Sequence, residues 1–422
     1  MTISIKRRTV LSGLAATAAT TLFAPSVRAA TPVRLGGLTT LEGPFATGGQ
    51  DAYRCMQMLL EEVGNQAGGR AIEWTRESSN AQADVALARA RKLIEQDNVD
   101  IIVGPLSGAE GIALRDYSRT LTGRTIVNGS SGASDTTLRD PSPNFFRFNT
   151  DGVQWMAGIG TYVRREMGID KVAVLAGDYA FPYAQVFGFS LDFCREGGTA
   201  EYIWTPLGTT DFSSAIARIP SDAGALVVVH GGTDGLAFMT QYAQMGGDLP
   251  LIGGSIMADQ TMMSARGPHR RMLEGMLSAG PIADIHDDPM WNDFVARYRA
   301  RWGSEGFDSP SIHGFNYYTA LQAVLLALEE VGGDLDNDQR DFQAALAAVE
   351  FQNPMGATVR LDHNRQAISD VFMNRIEERD GQLRTVTFGR AEAVTQTLGM
   401  DQEAFLALGA PSRDNPGCVA PT

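Results

Sequence analysis

The amino-acid sequence predicts an α/β fold made of two doubly wound parallel-sheet lobes. Short β-rich runs alternate with helical stretches from Val33 onward, which is the pattern of βαβ units. The alternation starts again near Lys171, and one ordinary core would not hold two successive sets of parallel strands. The length of 422 residues is sufficient for two domains.

The first set of strands belongs to one lobe. A helix over Ala83–Gln96 is predicted between two of its strands, because apolar side chains recur there at helical spacing. The predicted strands are Val33–Leu38, Ala71–Arg76, Asp100–Val103 and Arg124–Asn128. Together with their helices they form half of a doubly wound sheet.

The second set follows a crossing at Phe145–Phe148 and a single predicted helix over Asp151–Met167. Its strands are Lys171–Ala176, Glu201–Trp204, Ala225–His230 and Leu249–Gly253. Helices then follow at Pro289–Trp302 and Ser311–Val331. The last block is β-like at Thr358–Leu361, Val371–Ile376 and Arg384–Phe388, with Asp380-Gly381 as a hairpin turn between the last two.

The N-terminus has the pattern of an export signal over residues 1–29. Lys6-Arg7-Arg8 precedes a short apolar run, and cleavage is expected after Ala29. The paired arginines resemble a twin-arginine signal, and an ordinary secretory signal is the alternative. The apolar run of about a dozen residues is shorter than the roughly 20 that a membrane span needs. We therefore expect a mature protein that works in the periplasm.

The charge excludes two classes of partner. The chain carries a formal charge of -14, and loss of the basic leader takes the mature protein to about -18, which repels nucleic acid and anionic lipid. No later apolar run has membrane-spanning length.

Three cysteines allow one disulfide within the chain. Cys55 lies in a helical pattern and is interpreted as a small buried hydrophobe. Cys194 and Cys418 are the predicted pair, which would tie the C-terminal tail to the body of the protein.

Ligands of open parallel sheets bind beyond the carboxyl ends of the strands, so the loops there are the candidate site. Serine and glycine before a helix can hold an anion such as a carboxylate through free N–H groups and a hydroxyl. The alternative for any one such loop is a plain turn or helix cap. The four candidate loops are Gly43–Gly49, Gly104–Glu110, Asn128–Gly132 and Asp178–Tyr183.

The sequence predicts no catalysis, cofactor or metal. It has no Gly-x-Ser-x-Gly elbow, no phosphate-binding loop and no dinucleotide fingerprint after a strand. Its five histidines lack metal-ligand spacing. His230 and His313 come near the predicted cleft, and a structural role is the simpler interpretation of both.

At these loops the chain resembles the leucine/isoleucine/valine-type solute-binding proteins of ABC importers. The resemblance covers nearly the whole mature chain and rests on the order of several segments: "LTTLEGPFATGGQDA", "IIVGPLSGAEGIALRDY", "IVNGSSGASDTTLRDPSPNFFR", "DYAFPYAQVF", "GTTDFSSAIARI", "PLIGGS" and "FQNPMGATVRLDHNRQ". It implies a type I periplasmic binding protein, a monomer that delivers a small-molecule ligand to a membrane permease.

The resemblance also implies a division of the chain. Lobe 1 would comprise residues 30–149 and 280–354, lobe 2 residues 150–279 and 355–390, and a tail residues 391–422. Three hinge crossings are expected near Phe146–Thr150, Met276–Pro281 and Gln352–Gly356.

By the same resemblance, Ser107 and Gly108 match a loop that grips the ligand carboxylate. Ser130, Ser131 and Gly132 match its partner loop. Phe181 matches an aromatic residue that packs on the ligand, and Phe45 is the aromatic candidate of the first loop.

Two departures bear on the ligand. Ser255 stands where amino-acid binders carry an acid for the α-ammonium, and Gly48 replaces a bulky aromatic and is expected to leave space. One hypothesis is a carboxylate without an α-ammonium, for instance an aromatic acid, because an unpaired buried ammonium is costly. The other is an amino acid whose ammonium pairs with a different acid, for which the candidates are Glu42, Glu110, Asp178 and Asp234. A sensory regulator on the same fold is the functional alternative to transport.

Overall fold

The computed structural model describes residues 31–418, so the predicted leader lies outside the described residues. The chain forms a six-stranded sheet that is mostly parallel and a nine-stranded sheet whose five central strands are parallel. Helices pack on the sheets, as the α/β pattern predicts. None of the helices in this part of the chain is both long enough and apolar enough to cross a bilayer.

The N-terminal segment forms the six-stranded sheet in the order β2-β3-β1-β4-β5-β6. Its strands are β1 (Val33–Thr40), β2 (Gln66–Ala67), β3 (Arg70–Ser79), β4 (Ile101–Val103), β5 (Thr125–Val127) and β6 (Phe145–Phe146). Helices α1 (Ala46–Glu62), α2 (Ala83–Arg91) and α3 (Gly108–Ser118) connect them. Strands β4 and β5 are buried throughout, as strands covered by helices on both faces must be.

The next segment forms the centre of the nine-stranded sheet. Its strands are β7 (Lys171–Gly177), β8 (Thr199–Thr205), β9 (Ala225–Val229), β10 (Leu251–Gly253) and β11 (Leu277–Gly280). Its helices are α4 (Ile159–Arg165), α5 (Ala180–Arg195), α6 (Ser213–Ile216), α7 (Gly232–Gln244), α8 (Gln260–Met263) and α9 (Arg270–Leu273). These strands are parallel and run in the order β11-β10-β9-β7-β8.

The single helix predicted over Asp151–Met167 is wrong. A short 3-10 turn at Gln154–Met156 is separated from α4 by Gly158, whose φ of 81° lies in the left-handed region. The Gly158 N–H donates to the carboxylate of Asp192, 2.9 Å away. Glycine adopts a positive φ without steric cost, so the helix can break at this residue. Apolar periodicity alone does not reveal such a break.

The C-terminal segment returns to the first sheet and then to the second. Helices α10 (Pro289–Trp302), α11 (Ile312–Glu330) and α12 (Arg340–Ala348) come first, followed by β12 (Phe351–Gln352), β13 (Thr358–Leu361), β14 (Ala367–Arg379), β15 (Gln382–Val394) and α13 (Gln402–Ala407). The largest apolar core joins α10 and α11 to β1 and α1. Strand β14 pairs antiparallel with β11 and with β15, and the predicted turn at Asp380-Gly381 is confirmed.

The tail is covalently tied to the second sheet's helices. Cys194, in the last turn of α5, forms a disulfide with Cys418 across a Cα–Cα distance of 5.3 Å. Cys55 is a free, buried thiol, as its helical position predicts.

Candidate ligand-binding site

Segments that follow the carboxyl ends of six strands converge on one pocket. They follow β1, β4, β5 and β6 of the first sheet and β7 and β10 of the second, and the start of α11 completes the wall. The pocket holds about 310 Å³ of space free of protein atoms. We call it the first compartment; it is lined by Phe45, Leu106, Ser107, Gly108, Ser130, Gly132, Trp155, Tyr179, Phe181, Ile256 and His313.

The N-terminus of α3 supplies free N–H donors to this compartment. Ser107 caps the helix, and its backbone N–H donates to Glu110 over 2.8 Å in a capping box. Gly108 and Ala109 are the first two helical residues, so their N–H groups have no partner within the helix. This end of the pocket is electrically suited to an anion.

Ser130 and His313 form a hydrogen-bonded pair beside these donors. The Ser130 Oγ lies 2.9 Å from His313 Nδ1 and accepts a hydrogen bond from the Asn316 amide over 3.0 Å. Burial lowers the pKa of His313 to about 4, so the imidazole is neutral near pH 7. The pair therefore offers hydrogen bonds without adding a charge.

Aromatic side chains make the opposite wall. Phe181 and Trp155 meet edge to face with ring centroids 5.6 Å apart, and the Trp155 indole N–H is held by Thr150 Oγ1 at 2.7 Å. A Cβ on Gly132 would lie 2.8 Å from the Phe181 ring, so glycine is required there. Tyr179 also lines the pocket, and its hydroxyl has no hydrogen-bond partner within residues 31–418. The wall suits a flat apolar group.

Two of the predicted site residues do not line the compartment. Ser131 is fully buried behind it. Ser255 accepts a hydrogen bond from the Gln185 amide over 2.8 Å, and its neighbour Ile256 faces the ligand space instead. The other six residues, Phe45, Ser107, Gly108, Ser130, Gly132 and Phe181, all lie in the lining.

None of the four acids considered for an ammonium lines the compartment. Glu110 closes the capping box, and burial raises the pKa of its carboxyl. Asp178 contacts Tyr183 and Arg413. Asp234 accepts the N–H of Gly208 over 2.7 Å, and Glu42 is exposed. The lining thus contains no carboxylate.

His313 occupies part of the space expected at Gly48. A Cβ on Gly48 would lie 2.4 Å from His313 Cδ2 and 3.2 Å from Nε2, so the imidazole packs directly against the glycine. A second compartment of about 420 Å³ lies on the Gly48 side and shares Phe45, Ile256 and His313 with the first. Its remaining lining residues are Pro44, Thr47, Gly48, Gly232, Thr233, Leu236 and Thr261.

Residues of the two sheets touch across the site. Gly232, at the start of α7, lies so close to Pro44 that a Cβ there would be 1.9 Å from the Pro44 carbonyl oxygen. The Ile312 N–H at the start of α11 donates to Asp259 Oδ2 over 2.5 Å. These two contacts enclose the pocket from both sides. Burial raises the pKa of Asp259 to about 6.

The other conspicuous polar side chains have structural roles. His230 contacts Thr205 Oγ1 at 3.1 Å and stacks among Phe212 and Phe238, with its pKa lowered to about 3 by burial. Across the described residues no three His, Cys, Asp or Glu side chains are grouped to hold a metal ion.

A small apolar pocket with helix N-terminal donors, enclosed between two parallel sheets, defines a two-lobed ligand-binding protein. The chain belongs to the family described as Periplasmic binding protein, which it matches over residues 32–382. The sequence-based assignment to this family and fold is thereby confirmed.

Several relatives support the assignment. The Leu/Ile/Val-binding protein homolog 7 of Brucella melitensis is 26% identical over 386 residues, covering 86% of this chain and 94% of that protein. An ABC transporter substrate-binding protein from Sphaerobacter thermophilus has a TM-score of 0.77 at 28% identity, covering 86% and 98%. A solute-binding protein of an ABC transporter from Rhodopseudomonas palustris BisB5, in complex with 3,4-dihydroxybenzoic acid, has a TM-score of 0.79 at 24% identity over the same shares.

Sequence reasoning missed four residues of the lining: Leu106, Trp155, Tyr179 and Ile256. Leu106 and Tyr179 lie in two of the candidate loops predicted from the sequence, Gly104–Glu110 and Asp178–Tyr183. Ile256 is adjacent to the predicted Ser255. Trp155 comes from a segment predicted only as helix, and no local pattern distinguishes it from a core residue. The sequence places His313 near the cleft but favours a structural role for it, and the structure has it in the lining.

Proposed function

We propose that this protein is the extracytoplasmic solute-binding component of an ABC importer and captures a small carboxylate between its two lobes without transforming it. The observation that carries the proposal is the enclosed compartment, where free N–H groups of α3 and the Ser130 hydroxyl lie opposite an aromatic wall. Its similarity to ABC transporter substrate-binding proteins supports the transport role. Export through the leader and delivery by a monomer to a permease belong to the same proposal.

The ligand we propose is an aromatic carboxylate without an α-ammonium. The lining offers donors to an anion but no carboxylate to a cation, and an ammonium buried without an anionic partner would cost several kcal/mol. Phe181, Trp155 and Tyr179 provide faces for an aromatic ring. The similar Rhodopseudomonas palustris protein was solved with an acid of this class.

Isothermal titration calorimetry of the mature protein tests the ligand class. Benzoate, phenylacetate and phenylpyruvate are titrated beside phenylalanine and leucine. We expect saturable binding of at least one aromatic acid, with amino acids at least tenfold weaker. Binding of phenylalanine or leucine with none of any deaminated acid would refute the proposal.

Two serine variants test the anion end. Ser130→Ala removes a hydroxyl that lines the pocket and should weaken carboxylate binding about tenfold. Ser131→Ala is the matched control, because Ser131 lies in the same loop but outside the lining. Equal effects of the two substitutions would contradict the assignment of Ser130.

A further inference from the structure

Asp259 is a buried acid of the second lobe whose side chain contacts the first lobe. It lies between β10 and α8, and only 3% of its surface is exposed. Its Oδ1 accepts the N–H of Thr261 over 2.8 Å, which caps α8 within the same lobe. Its Oδ2 accepts the N–H of Ile312, the first residue of α11 in the other lobe, over 2.5 Å. One carboxylate therefore contacts a helix N-terminus in each lobe.

The N–H donors at the start of α11 differ in where their acceptors lie. Ser311, which caps α11, donates its N–H to Asp51 over 2.8 Å, and Asp51 belongs to α1 of the same lobe. The Gly314 N–H donates to the Ser311 hydroxyl over 3.1 Å. Ile312 donates to the second lobe instead. Separation of the lobes would take away its acceptor and leave the other two hydrogen bonds in place, because an N–H in the first turn has no acceptor within its own helix.

The charge of Asp259 strengthens this contact between the lobes. Burial raises its pKa to about 6, so the carboxyl is ionised near pH 7. A negative charge is favoured at the N-terminus of a helix as long as α11, which has 19 residues. A hydrogen bond from an N–H to a carboxylate is also roughly twice as strong as one between neutral groups.

Asp259 itself lines neither compartment. Its contact nevertheless joins two chain segments that do. His313, which follows Ile312, and Ile256, which comes shortly before Asp259, line both compartments. The hydrogen bond between Asp259 and Ile312 thus holds a wall residue of one lobe against a wall residue of the other, at a place that the ligand does not touch.

We propose that Asp259 is a positioning residue that accepts the N–H of Ile312 only after the lobes have closed and thereby slows release of the ligand without contacting it. This role rests on the proposed function, because it takes the lobes to close around a ligand. It requires no particular class of ligand, since Asp259 meets α11 whichever molecule is enclosed. The hydrogen bond forms after the encounter, so it acts on the release rate and not on the association rate.

Stopped-flow tryptophan fluorescence, to which Trp155 of the pocket wall contributes, measures both rate constants. The ligand is the tightest binder among benzoate, phenylacetate, phenylpyruvate, phenylalanine and leucine. Asp259→Ala should raise the release rate constant at least about tenfold and leave the association rate constant within about threefold. Asp259→Asn keeps one acceptor oxygen and should release the ligand at an intermediate rate. Asp211→Ala is the matched control, because the exposed Asp211 also accepts an N–H two residues on, from Ser213 over 2.9 Å, within the second lobe.

Amide hydrogen exchange measured by NMR tests the same contact in the native protein and needs no variant. Saturation with the ligand should slow exchange of the Ile312 N–H at least about tenfold. The Ser311 N–H is bonded to Asp51 whether the lobes are open or closed, so its exchange should change less than about threefold. The two amides are neighbours, and a general stiffening of the helix would slow both.

Three results would overturn this role of Asp259 and leave the proposed function intact. They are a native release rate in Asp259→Ala, an equal acceleration of release in Asp211→Ala, and an Ile312 exchange rate that the ligand leaves unchanged. The exchange rate decides the question even if Asp259→Ala fails to fold. Binding of none of the five molecules would refute both the role of Asp259 and the proposed function.

Discussion

Replacement of Gly232 by alanine should prevent the two lobes from closing fully. The added Cβ would lie 1.9 Å from the carbonyl oxygen of Pro44, roughly 1.5 Å inside a normal non-bonded separation. The Pro44 oxygen belongs to the backbone and the position of the Cβ is fixed by the backbone, so neither atom can rotate away. Because Gly232 and Pro44 belong to different sheets, the clash acts only when the lobes are together.

Strain in the left-handed backbone must be separated from this clash. Gly232 has a φ of 56°, where alanine costs roughly 1 kcal/mol whether or not the lobes are closed. Gly246→Ala is the matched control, because Gly246 follows the same helix, has a φ of 77° and has no atom within 4 Å of the added Cβ. The two variants share the strain and differ in the clash.

Calorimetry and thermal unfolding measure the two effects. We expect Gly232→Ala to raise the Kd of the ligand at least tenfold, equivalent to about 1.4 kcal/mol, while Gly246→Ala leaves it unchanged. Ligand-free melting temperatures of the two variants should agree within a few degrees. Native affinity in Gly232→Ala would refute the view that closure at this contact is required for binding.

Three further outcomes are expected. Phe181→Ala removes an apolar wall and should weaken ligand binding by about 2 kcal/mol, measured by calorimetry. The pKa of Asp259 is raised to about 6 by burial, so its ionisation costs native stability as pH rises from about 4 to 6. Asp259→Asn should remove this pH-dependent loss of stability, which is roughly 3 kcal/mol over that pH range, as measured by thermal unfolding at several pH values. An unchanged pH dependence would contradict this role of Asp259. Joint replacement of Cys194 and Cys418 by serine should lower the free energy of unfolding by about 2–4 kcal/mol in urea and leave ligand affinity intact, because neither residue lines the pocket.

The sequence predicts the strands and loops well because both signals are local. The β-rich runs from Val33 to Leu249 all fall on observed strands, and loops at their carboxyl ends form most of the pocket. The break at Gly158 was missed because its apolar flanks continue the helical period.

The contents of the pocket are less predictable, because they depend on segments that meet only in the folded chain. Gly48 predicted an open space, and His313 occupies part of it from a helix that begins more than two hundred residues later. The sequence predicts Ser255 as a ligand-binding residue, whereas the neighbouring Ile256 lines the pocket. A glycine indicates that something approaches closely, but its sequence neighbours do not say what.

The start of α11 explains how ligand binding and lobe contact depend on one another. Ser311 is fixed to the first lobe by Asp51, whose Oδ2 accepts from its N–H over 2.8 Å and from its hydroxyl over 2.7 Å. The next residue, Ile312, donates across the cleft to Asp259, and the one after it, His313, faces the pocket. Three consecutive residues thus contact the core of one lobe, the surface of the other and the ligand space. A displacement of His313 cannot stay local, because it also moves the neighbouring Ile312 N–H, which donates to Asp259.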